Sequence, residues 1–273
     1  MLAVFSLAVP ATAEIESELD RLVVAALRTP IEPGSTTSTL TSLDPRDLEQ
    51  RGVVELRDAL NESPGVIATS TAGQTGAAGS LFIRGTTTAD SQLVVDGMRL
   101  SDATVPLGNF LAGARLDDLD RIEILRGPQA AIHGSESIGG VVWLETARGE
   151  GNPGGRLRVE GGSFDGFDVH LSHSGRSGDV SWFAGLGRGG TRNDAVDQEY
   201  VRSRAALRFE WTPADDVTLG MTFRAIDSRF DFPGFFGPNV DHLDATLGTI
   251  YLDARPTEAW RARVTLGHYR ESY

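Results

Sequence analysis

The sequence of 273 residues contains no cysteine and no lysine, and it has no long apolar run. Without cysteine, disulfides, zinc–thiolate sites and thiol catalysis are excluded. No stretch approaches the roughly 20 apolar residues that a membrane-spanning helix needs. A phosphate-binding loop would need a lysine, and Ser135 lacks the glycine that a nucleophile elbow carries two residues after its serine. We therefore find no catalytic constellation and expect no enzyme activity.

Positive charge is also scarce. The chain has 25 basic and 38 acidic side chains, so its formal net charge is −13. This balance argues against nucleic acid as a partner, because binding to phosphates needs a basic surface. It does not argue against a membrane protein built of strands, which inserts through an outward apolar face rather than through net charge. The 32 glycines favour a chain rich in strands and loops.

The first 37 residues differ from the rest of the chain. An apolar stretch over residues 2–9, followed by the small residues 11–13, predicts a secretory signal peptide over residues 1–13; a disordered apolar start is the alternative. Residues 14–37 are acidic and then rich in Pro, Gly, Ser and Thr, which predicts an extended tether. Its apolar island, Leu22–Ala26, is suited to adding a strand to another protein's sheet, or else packs on the next domain.

Residues 38–150 are predicted to form a compact unit of helices and strands. Asp44 is a good N-cap for a helix with Pro45 in its first turn, and a second helix is expected around residues 54–60. Asp96-Gly97 predicts the tight turn of a β-hairpin. Further strands are expected at 40–43, 81–83, 122–125 and 141–144, before a Gly/Pro linker at 149–155.

Residues 155–273 alternate strictly between apolar and polar side chains, which is the signature of strands. One face is apolar throughout and the other carries Arg, Thr, Gly and Glu. The connections are predicted to alternate between tight turns (175–178, 213–216 and 256–258) and long ones (188–198 and 228–245). This layout favours an antiparallel transmembrane β-barrel over a soluble β-sandwich, with Trp211 and Trp260 in an interfacial girdle.

Several motifs in the compact unit resemble the plug domain of TonB-dependent outer-membrane receptors. They are Ser63-Pro64-Gly65-Val66, Phe82-Ile83-Arg84-Gly85, Leu93-Val94-Val95-Asp96-Gly97 and the long block from Leu119 to Val142. The resemblance implies an α+β plug domain followed by a β-barrel of about 22 strands, of which about seven are present here. The strands after Gly155 look most like those of the cobalamin-transporter branch.

The resemblance also implies partners and functional residues. It implies a location in the bacterial outer membrane with the plug toward the periplasm, contact with outer-membrane lipid, and import of a small nutrient ligand. Cobalamin or a ferric siderophore is expected, with haem and oligosaccharide left open. The segment expected to bind the C-terminal domain of TonB, the TonB box, is Asp20, Arg21, Leu22, Val23, Val24, Ala25 and Ala26. The plug motif residues are Ile83, Arg84, Gly85, Asp96, Gly97, Glu123, Arg126, Gly127, Pro128, Gly134, Gly139 and Gly140.

Two roles are possible for the charged motif residues Arg84, Glu123 and Arg126. Because an unpaired buried charge is costly, they are expected to be paired if they are buried. The pairing could be a plug–barrel polar lock that loosens during transport, or a static structural ion pair. The motif glycines are expected where the backbone approaches closely or takes a positive φ.

No cofactor is expected, and calcium is the one metal considered. The acidic residues Asp194, Asp197 and Asp231 lie in the predicted long connections, where they could bind Ca²⁺ or simply be solvated. His170 and His173 are three residues apart on a strand, so they are expected on opposite faces and should not share a metal.

A passive envelope module, either ligand-binding or of the adhesin type, is the alternative function. It would lack energy-coupled transport. Seven strands would leave two open edges, which lipid does not tolerate. The sequence is therefore expected to be a fragment or a truncated gene model, whose strands would aggregate without the remainder.

Overall fold

The computed structural model describes residues 5–6, 39–70, 73–100, 110–111, 113–194, 198–234, 237–257 and 260–272. The predicted TonB-coupling residues 20–26 and Asp197 lie outside these ranges. Within them the chain forms two large sheets that face each other. In chain order, the elements up to residue 146 are β1 (Phe5–Ser6), β2 (Thr39–Leu43), α1 (Pro45–Gln50), α2 (Leu56–Asn61), β3 (Val66–Ser70), β4 (Gly79–Ile83), β5 (Ser91–Val95), β6 (Met98–Leu100), β7 (Leu119–Arg126), α3 (Ala130–His133) and β8 (Gly140–Thr146).

We call residues 39–146 the plug unit. Its main sheet has the strand order β2-β7-β8-β5-β6, and β3 pairs with β4 in a separate two-stranded sheet. Within the main sheet β5 and β8 run parallel, and the other neighbours are antiparallel. The predicted strands of this unit are all present, and the second helix begins at Leu56 rather than Val54.

Local sequence signals set the turns of the plug unit. The side chain of Asp44 accepts a hydrogen bond from the backbone N–H of Arg46 at 2.8 Å, and Pro45 lies in the first turn of α1. Asp96 (φ 51°) and Gly97 (φ 83°) both have positive φ, as the two-residue turn between β5 and β6 requires. Both sequence predictions are therefore confirmed.

The second large sheet, which we call the wall sheet, contains seven consecutive antiparallel strands. They are β9 (Gly154–Gly161), β10 (Phe167–Ser177), β11 (Val180–Thr191), β12 (Tyr200–Ala214), β13 (Val217–Gly234), β14 (Gly237–Thr257) and β15 (Trp260–Ser272). β1 pairs with β9 at one edge, β15 forms the other edge, and the described strands do not close into a barrel. The predicted partial antiparallel sheet of about seven strands is confirmed.

The two faces of the wall sheet differ as the alternation predicts. One face exposes large apolar side chains, among them Leu171, Leu186, Leu207, Met221, Ile250 and Leu266. The other face packs against the plug unit, whose apolar core extends to Ile226, Leu243 and Leu247 of the wall sheet. Within the described ranges no second sheet covers the apolar face, so the soluble-sandwich alternative is wrong.

One predicted connection is wrong. The sequence predicts a long connection over residues 228–245, but β13 and β14 remain paired from Asp227↔Asp244 to Gly234↔Gly237. Inward positions such as Phe230 and Leu243 are still buried. Beyond the apolar band the outward residues become polar, so polarity there marks the end of the band rather than the end of the strands. The other predicted long connection runs from residue 192 to 199.

No helix among the described residues is both long and apolar enough to cross a bilayer. On the exposed apolar face, Trp211 and Trp260 are 45% and 72% accessible. Both lie close to the turns that join β12 to β13 and β14 to β15. This position suits the interfacial girdle that the sequence predicts.

Candidate functional site: the charged interface between plug unit and wall sheet

The predicted lock residues Arg84 and Arg126 make their hydrogen bonds inside the plug unit. Nη2 of Arg84 donates to Oγ1 of Thr39, and Nη2 of Arg126 donates to Oγ1 of Thr41, each at 2.8 Å. Arg84 is exposed and Arg126 half-buried. In the structure these two arginines therefore contact the plug strand β2.

Glu123 is buried, with only 1% of its surface accessible, and accepts a hydrogen bond from Nη1 of Arg121 at 3.4 Å. Ile83 is a fully buried core residue. Among the motif glycines, Gly140 shows most directly why a side chain is excluded: its φ is 158°, and a Cβ there would collide with the carbonyl oxygen of Leu125. Gly85, Gly127 and Gly134 have positive φ, Gly139 lies against Thr86, and Pro128 is exposed.

The plug unit and the wall sheet are instead joined by other charged residues, centred on Arg115. The Arg115 side chain is 3% exposed, and its Nη2 donates to both carboxylate oxygens of Glu160 on β9 at 2.8 Å. Within the plug unit the same guanidinium contacts Glu55 at 3.2 Å and Asp117 at 3.0 Å. We use the name charged cluster for the following residues: Glu55, Arg115, Asp117, Asp118, Glu160, Asp168, His170, Arg202 and Arg204.

Two arginines of β12 belong to the charged cluster on the wall side. Arg202 donates two hydrogen bonds, of 2.8 and 3.0 Å, to the carboxylate of Glu55. Arg204 donates to Asp117 at 3.0 Å and to both oxygens of Asp168 on β10 at 2.9 Å. Parallel two-bond contacts of this kind add geometric specificity to the electrostatic attraction.

Histidine 170 of β10 is also part of the charged cluster. Its Nε2 lies 2.9 Å from Oδ1 of Asp118, and the His170 side chain is 3% exposed. An ionised carboxylate only accepts hydrogen bonds, so Nε2 carries the proton. His173 lies on the opposite, exposed face and accepts a hydrogen bond from Nε1 of Trp182 at 3.0 Å. The prediction that the two histidines point to opposite faces is confirmed.

Glycines on the inward face of β11 make room for the charged cluster. A Cβ at Gly185 would meet Asp118 and His170, one at Gly187 would meet the guanidinium of Arg204, and one at Gly189 would meet Asp168. None of the three takes the left-handed conformation. Their small size is therefore required by the side chains opposite rather than by the backbone.

A second contact joins the end of β8 to the wall sheet. Thr146 donates its backbone N–H and its hydroxyl to the carboxylate of Asp96, at 2.7 and 2.6 Å. Arg224 of β13 donates to the hydroxyl of Thr146 at 2.8 Å, and Arg208 of β12 donates to its carbonyl oxygen at 2.8 Å. The motif residue Asp96 therefore both shapes its turn and positions Thr146 for two wall arginines.

The plug carboxyls of the charged cluster are held ionised. Burial raises the pKa of Glu55, but the charges of Arg202 and Arg115 outweigh it and bring the pKa below its ordinary value of 4.5. Burial opposes ionisation of Asp118 in the same way, and the hydrogen bond from His170 with the charge of Arg224 brings its pKa below 3.8. Both groups therefore carry full negative charge at neutral pH.

The two sides of the interface carry opposite charge. On the plug side, the carboxylates of Glu49, Glu55, Asp117 and Asp118 outnumber the single guanidinium of Arg115. Glu49 is contacted by Arg156 and Arg158 of β9. On the wall side, the four guanidiniums of Arg156, Arg158, Arg202 and Arg204 outnumber the two carboxylates of Glu160 and Asp168. Separating the two sides would leave several charges unpaired, which is costly in a buried site.

Two of the three candidate calcium ligands, Asp194 and Asp231, contact other side chains of the protein. Asp194 accepts a hydrogen bond from Nε2 of Gln74 at 2.7 Å, and Asp231 pairs with Arg229 at 2.8 Å. In the part of the chain that the structure describes, no group of three acidic or histidine residues is arranged to hold a metal. Gln74 belongs to the plug loop between β3 and β4, so this loop lies against the 192–199 connection.

Comparison with known proteins identifies the plug unit. Residues 32–141 match the family model of the TonB-dependent Receptor Plug Domain. We use the name plug domain for the part of the plug unit that this model matches. The resemblance predicted from the motifs is thereby confirmed, and the charged cluster joins this plug domain to the wall sheet.

A relative supports the same family. The vitamin B12 transporter BtuB of Vibrio vulnificus (strain YJ016) is 35% identical over 130 residues, which are 46% of this chain and 20% of that protein. The chain therefore spans about a fifth of the length of this curated relative. The match agrees with the cobalamin-transporter likeness drawn from the sequence.

Solved structures show the same fold around the plug domain. FpvA of Pseudomonas aeruginosa bound to heterologous pyoverdines has a TM-score of 0.77 and 18% identity, covering 91% of this chain and 36% of that protein. The ferric yersiniabactin uptake receptor FyuA of Yersinia pestis has a TM-score of 0.68 and 18% identity, covering 87% and 42%. At these identities the likeness concerns the fold.

Sequence reasoning missed most of the charged cluster. It singled out charged residues within motifs, whereas Glu55, Arg115 and Asp117 lie outside the quoted motif cores. One signal was available: Gly187 and Gly189 occupy consecutive inward positions of β11, opposite the inward Arg204 and Arg202 of β12. Small residues in register with large charged ones indicate a place where another group is inserted.

Proposed function

We propose that this chain provides the plug domain and adjoining wall of an outer-membrane receptor that actively imports a scarce ligand. The observation that carries the proposal is the two-sided wall sheet. Its exposed face is apolar and suited to lipid, and its other face is polar and holds the plug domain through buried ion pairs. A plug held in this way would block the lumen at rest, and its release would have to break both these ion pairs and the apolar contacts with Ile226, Leu243 and Leu247.

Cobalamin or a ferric siderophore is the proposed ligand. BtuB is named for vitamin B12 and FyuA for ferric yersiniabactin, and their relationship to this chain supports these two ligand classes. We place ligand binding on the side of the plug domain where Thr75 meets Asn193, because this is where plug loop and wall connection come together. The proposed role is transport of the ligand without chemical change.

Energy for transport is proposed to come from TonB. The Leu22–Ala26 island would pair as an added strand with the C-terminal domain of TonB. Force on the tether would then break the plug–wall contacts and open a path for the ligand.

The test is uptake of labelled cyanocobalamin and of labelled ferric siderophores by cells whose only receptor copy carries Val23→Pro. Proline removes a backbone donor and should abolish strand pairing, and with it uptake. Ser35→Pro, in the same predicted tether but outside the island, is the matched control and should leave uptake intact. Uptake that survives both Val23→Pro and collapse of the proton gradient would overturn the proposal in favour of a passive ligand-binding or adhesin-type module.

A further inference from the structure

The strand nearest to the predicted tether is weakly anchored in the plug sheet. Among the described strands, β2 lies at the edge of its sheet with β7 as its neighbour, and it begins at Thr39, two residues after the predicted tether ends. None of its residues is fully buried, whereas every residue of β5 and β8 is. Leu43, at the far end of β2, packs partly buried against the apolar core. Apolar burial therefore contributes little at the Thr39 end, and other contacts must hold that end in place.

Arg84 supplies one of these contacts. It follows β4 with a left-handed backbone (φ 54°), and its backbone N–H donates to the carbonyl of Gly65 at 2.8 Å. Its guanidinium reaches across to the hydroxyl of Thr39. A Cβ at Gly127 would lie 3.1 Å from Nη1 of Arg84, so the glycine leaves room for the guanidinium.

Arg126 supplies the other contact from the end of β7. One arm of its guanidinium donates to the hydroxyl of Thr41, and the other donates to the carbonyl of Pro64. Thr39 and Thr41 are alternate residues, so their side chains leave β2 on the same face. Three separate motifs, Ser63–Gly65, Arg84-Gly85 and Arg126-Gly127, therefore converge on the two threonines.

We propose that Arg84 and Arg126 form a clamp on β2 that sets the force at which the tether peels this strand from the plug domain. The inference rests on the proposed TonB coupling for its role in transport, but the clamp itself can be measured without TonB. It gives these arginines a task distinct from that of the charged cluster.

The register explains why the clamp would act first. Thr39 pairs with Arg126, and the ladder ends at Leu43 opposite Ile122. Force arriving through the tether loads the Thr39 end, so the antiparallel pair would open one residue at a time from there. Both clamp bonds lie within the first three residues that would separate, and β2 cannot peel until they break.

Amide hydrogen exchange of the full chain in detergent micelles tests the clamp directly. Thr39→Val with Thr41→Val removes both acceptor hydroxyls while keeping the β-branched shape. We expect exchange of residues 40–43 to accelerate on the order of tenfold, because two hydrogen bonds to charged donors are lost. Ser70→Ala removes a comparable bond, from Nη1 of Arg57 at 3.0 Å, and should leave β2 unchanged. Equal protection of β2 in the valine variant and the wild type would overturn the proposal.

Single-molecule pulling tests the mechanical role. Because the chain has no cysteine, handles can be attached at Ser17→Cys in the predicted tether and Asp179→Cys in the turn after β10. The first rupture should occur at lower force in the valine variant than in the Ser70→Ala control. An unchanged first rupture force would contradict the clamp, whereas failure of the Val23→Pro uptake test would contradict TonB coupling and leave the clamp standing.

Discussion

Arg202 of the wall sheet holds the carboxylate of Glu55 in the plug domain with two hydrogen bonds, although 147 positions separate the two residues in the chain. The Arg202 side chain is 4% exposed, so the pair is shielded from water. Glu55→Gln would remove the charge and leave Arg202 and Arg115 buried beside a neutral amide. We expect a loss of about 3–5 kcal/mol in the free energy of unfolding. Urea unfolding followed by tryptophan fluorescence measures it.

The matched control for this substitution is Asp58→Asn. Asp58 lies on the neighbouring helix and pairs with Arg57 at 3.1 Å, but its side chain is 51% exposed. An exposed pair is expected to contribute less than about 1 kcal/mol. Equal losses in the two variants would show that burial of the Glu55 pair has no special role.

Acid should weaken the interface through Glu55 and Asp118. Both have a folded pKa below the ordinary values of 4.5 and 3.8, so each binds protons less readily folded than unfolded. The contribution of the two groups to the free energy of unfolding is complete when the pH is above their ordinary pKa values. It is lost as the pH falls through their lower pKa values in the folded state. The urea midpoint of unfolding, measured from about pH 7 down to about pH 3, should decrease once the pH is below about 4.5. The decrease should be less steep in Glu55→Gln. The same acid slope in both proteins would contradict this account.

The glycines of β11 provide a test of packing around the charged cluster. A Cβ at Gly187 would lie 2.7 Å from Nε of Arg204, whose guanidinium is pinned between Asp117 and Asp168. Gly187→Ala should therefore cost about 1–3 kcal/mol of stability. Gly161→Ala on β9 meets nothing within 4 Å and should be close to neutral. A neutral Gly187→Ala would mean that the cluster can shift without loss.

Much of the fold could be predicted because its signals are local. The Asp44 cap, the Asp96-Gly97 turn and the alternation of the wall strands each depend on residues within a few positions of one another. Alternation told which side chains of β12 face inward. It did not tell which plug residue each would meet, because that depends on how two separately folded units dock.

The charged cluster and the β13–β14 hairpin show what local signals leave open. Glu55 and Arg115 carry no motif signature, and only their contacts with the wall sheet, Glu55 with Arg202 of β12 and Arg115 with Glu160 of β9, give them a role. Residues 228–245 are predicted as a long connection, yet β13 and β14 stay paired as far as Gly234 and Gly237, with Pro233 opposite Pro238 in the register. Proline is tolerated where a ladder ends, so these residues are compatible with the tip of a hairpin.

The free-energy cost of a charged residue on the apolar face of the wall sheet should depend on how deep that residue lies in the lipid. Leu207 is 43% exposed on that face, within the apolar band of β12. Leu207→Arg is expected to lower stability in lipid bilayers by about 2–4 kcal/mol, as for charges near the midplane of a membrane barrel. Asp227→Arg lies outward beyond the band and should cost about 0–1 kcal/mol. Similar costs at the two positions would argue that this face does not contact lipid.

A double-mutant cycle between Glu55 and Arg202 tests most directly whether buried ion pairs hold the plug domain to the wall. Unfolding free energies are measured for the wild type, Glu55→Gln, Arg202→Met and the double variant. We predict a coupling of about 2 kcal/mol or more, because each single substitution strands the other partner in a buried site. A coupling within about 0.5 kcal/mol of zero would mean that the two residues act independently, and it would contradict the account.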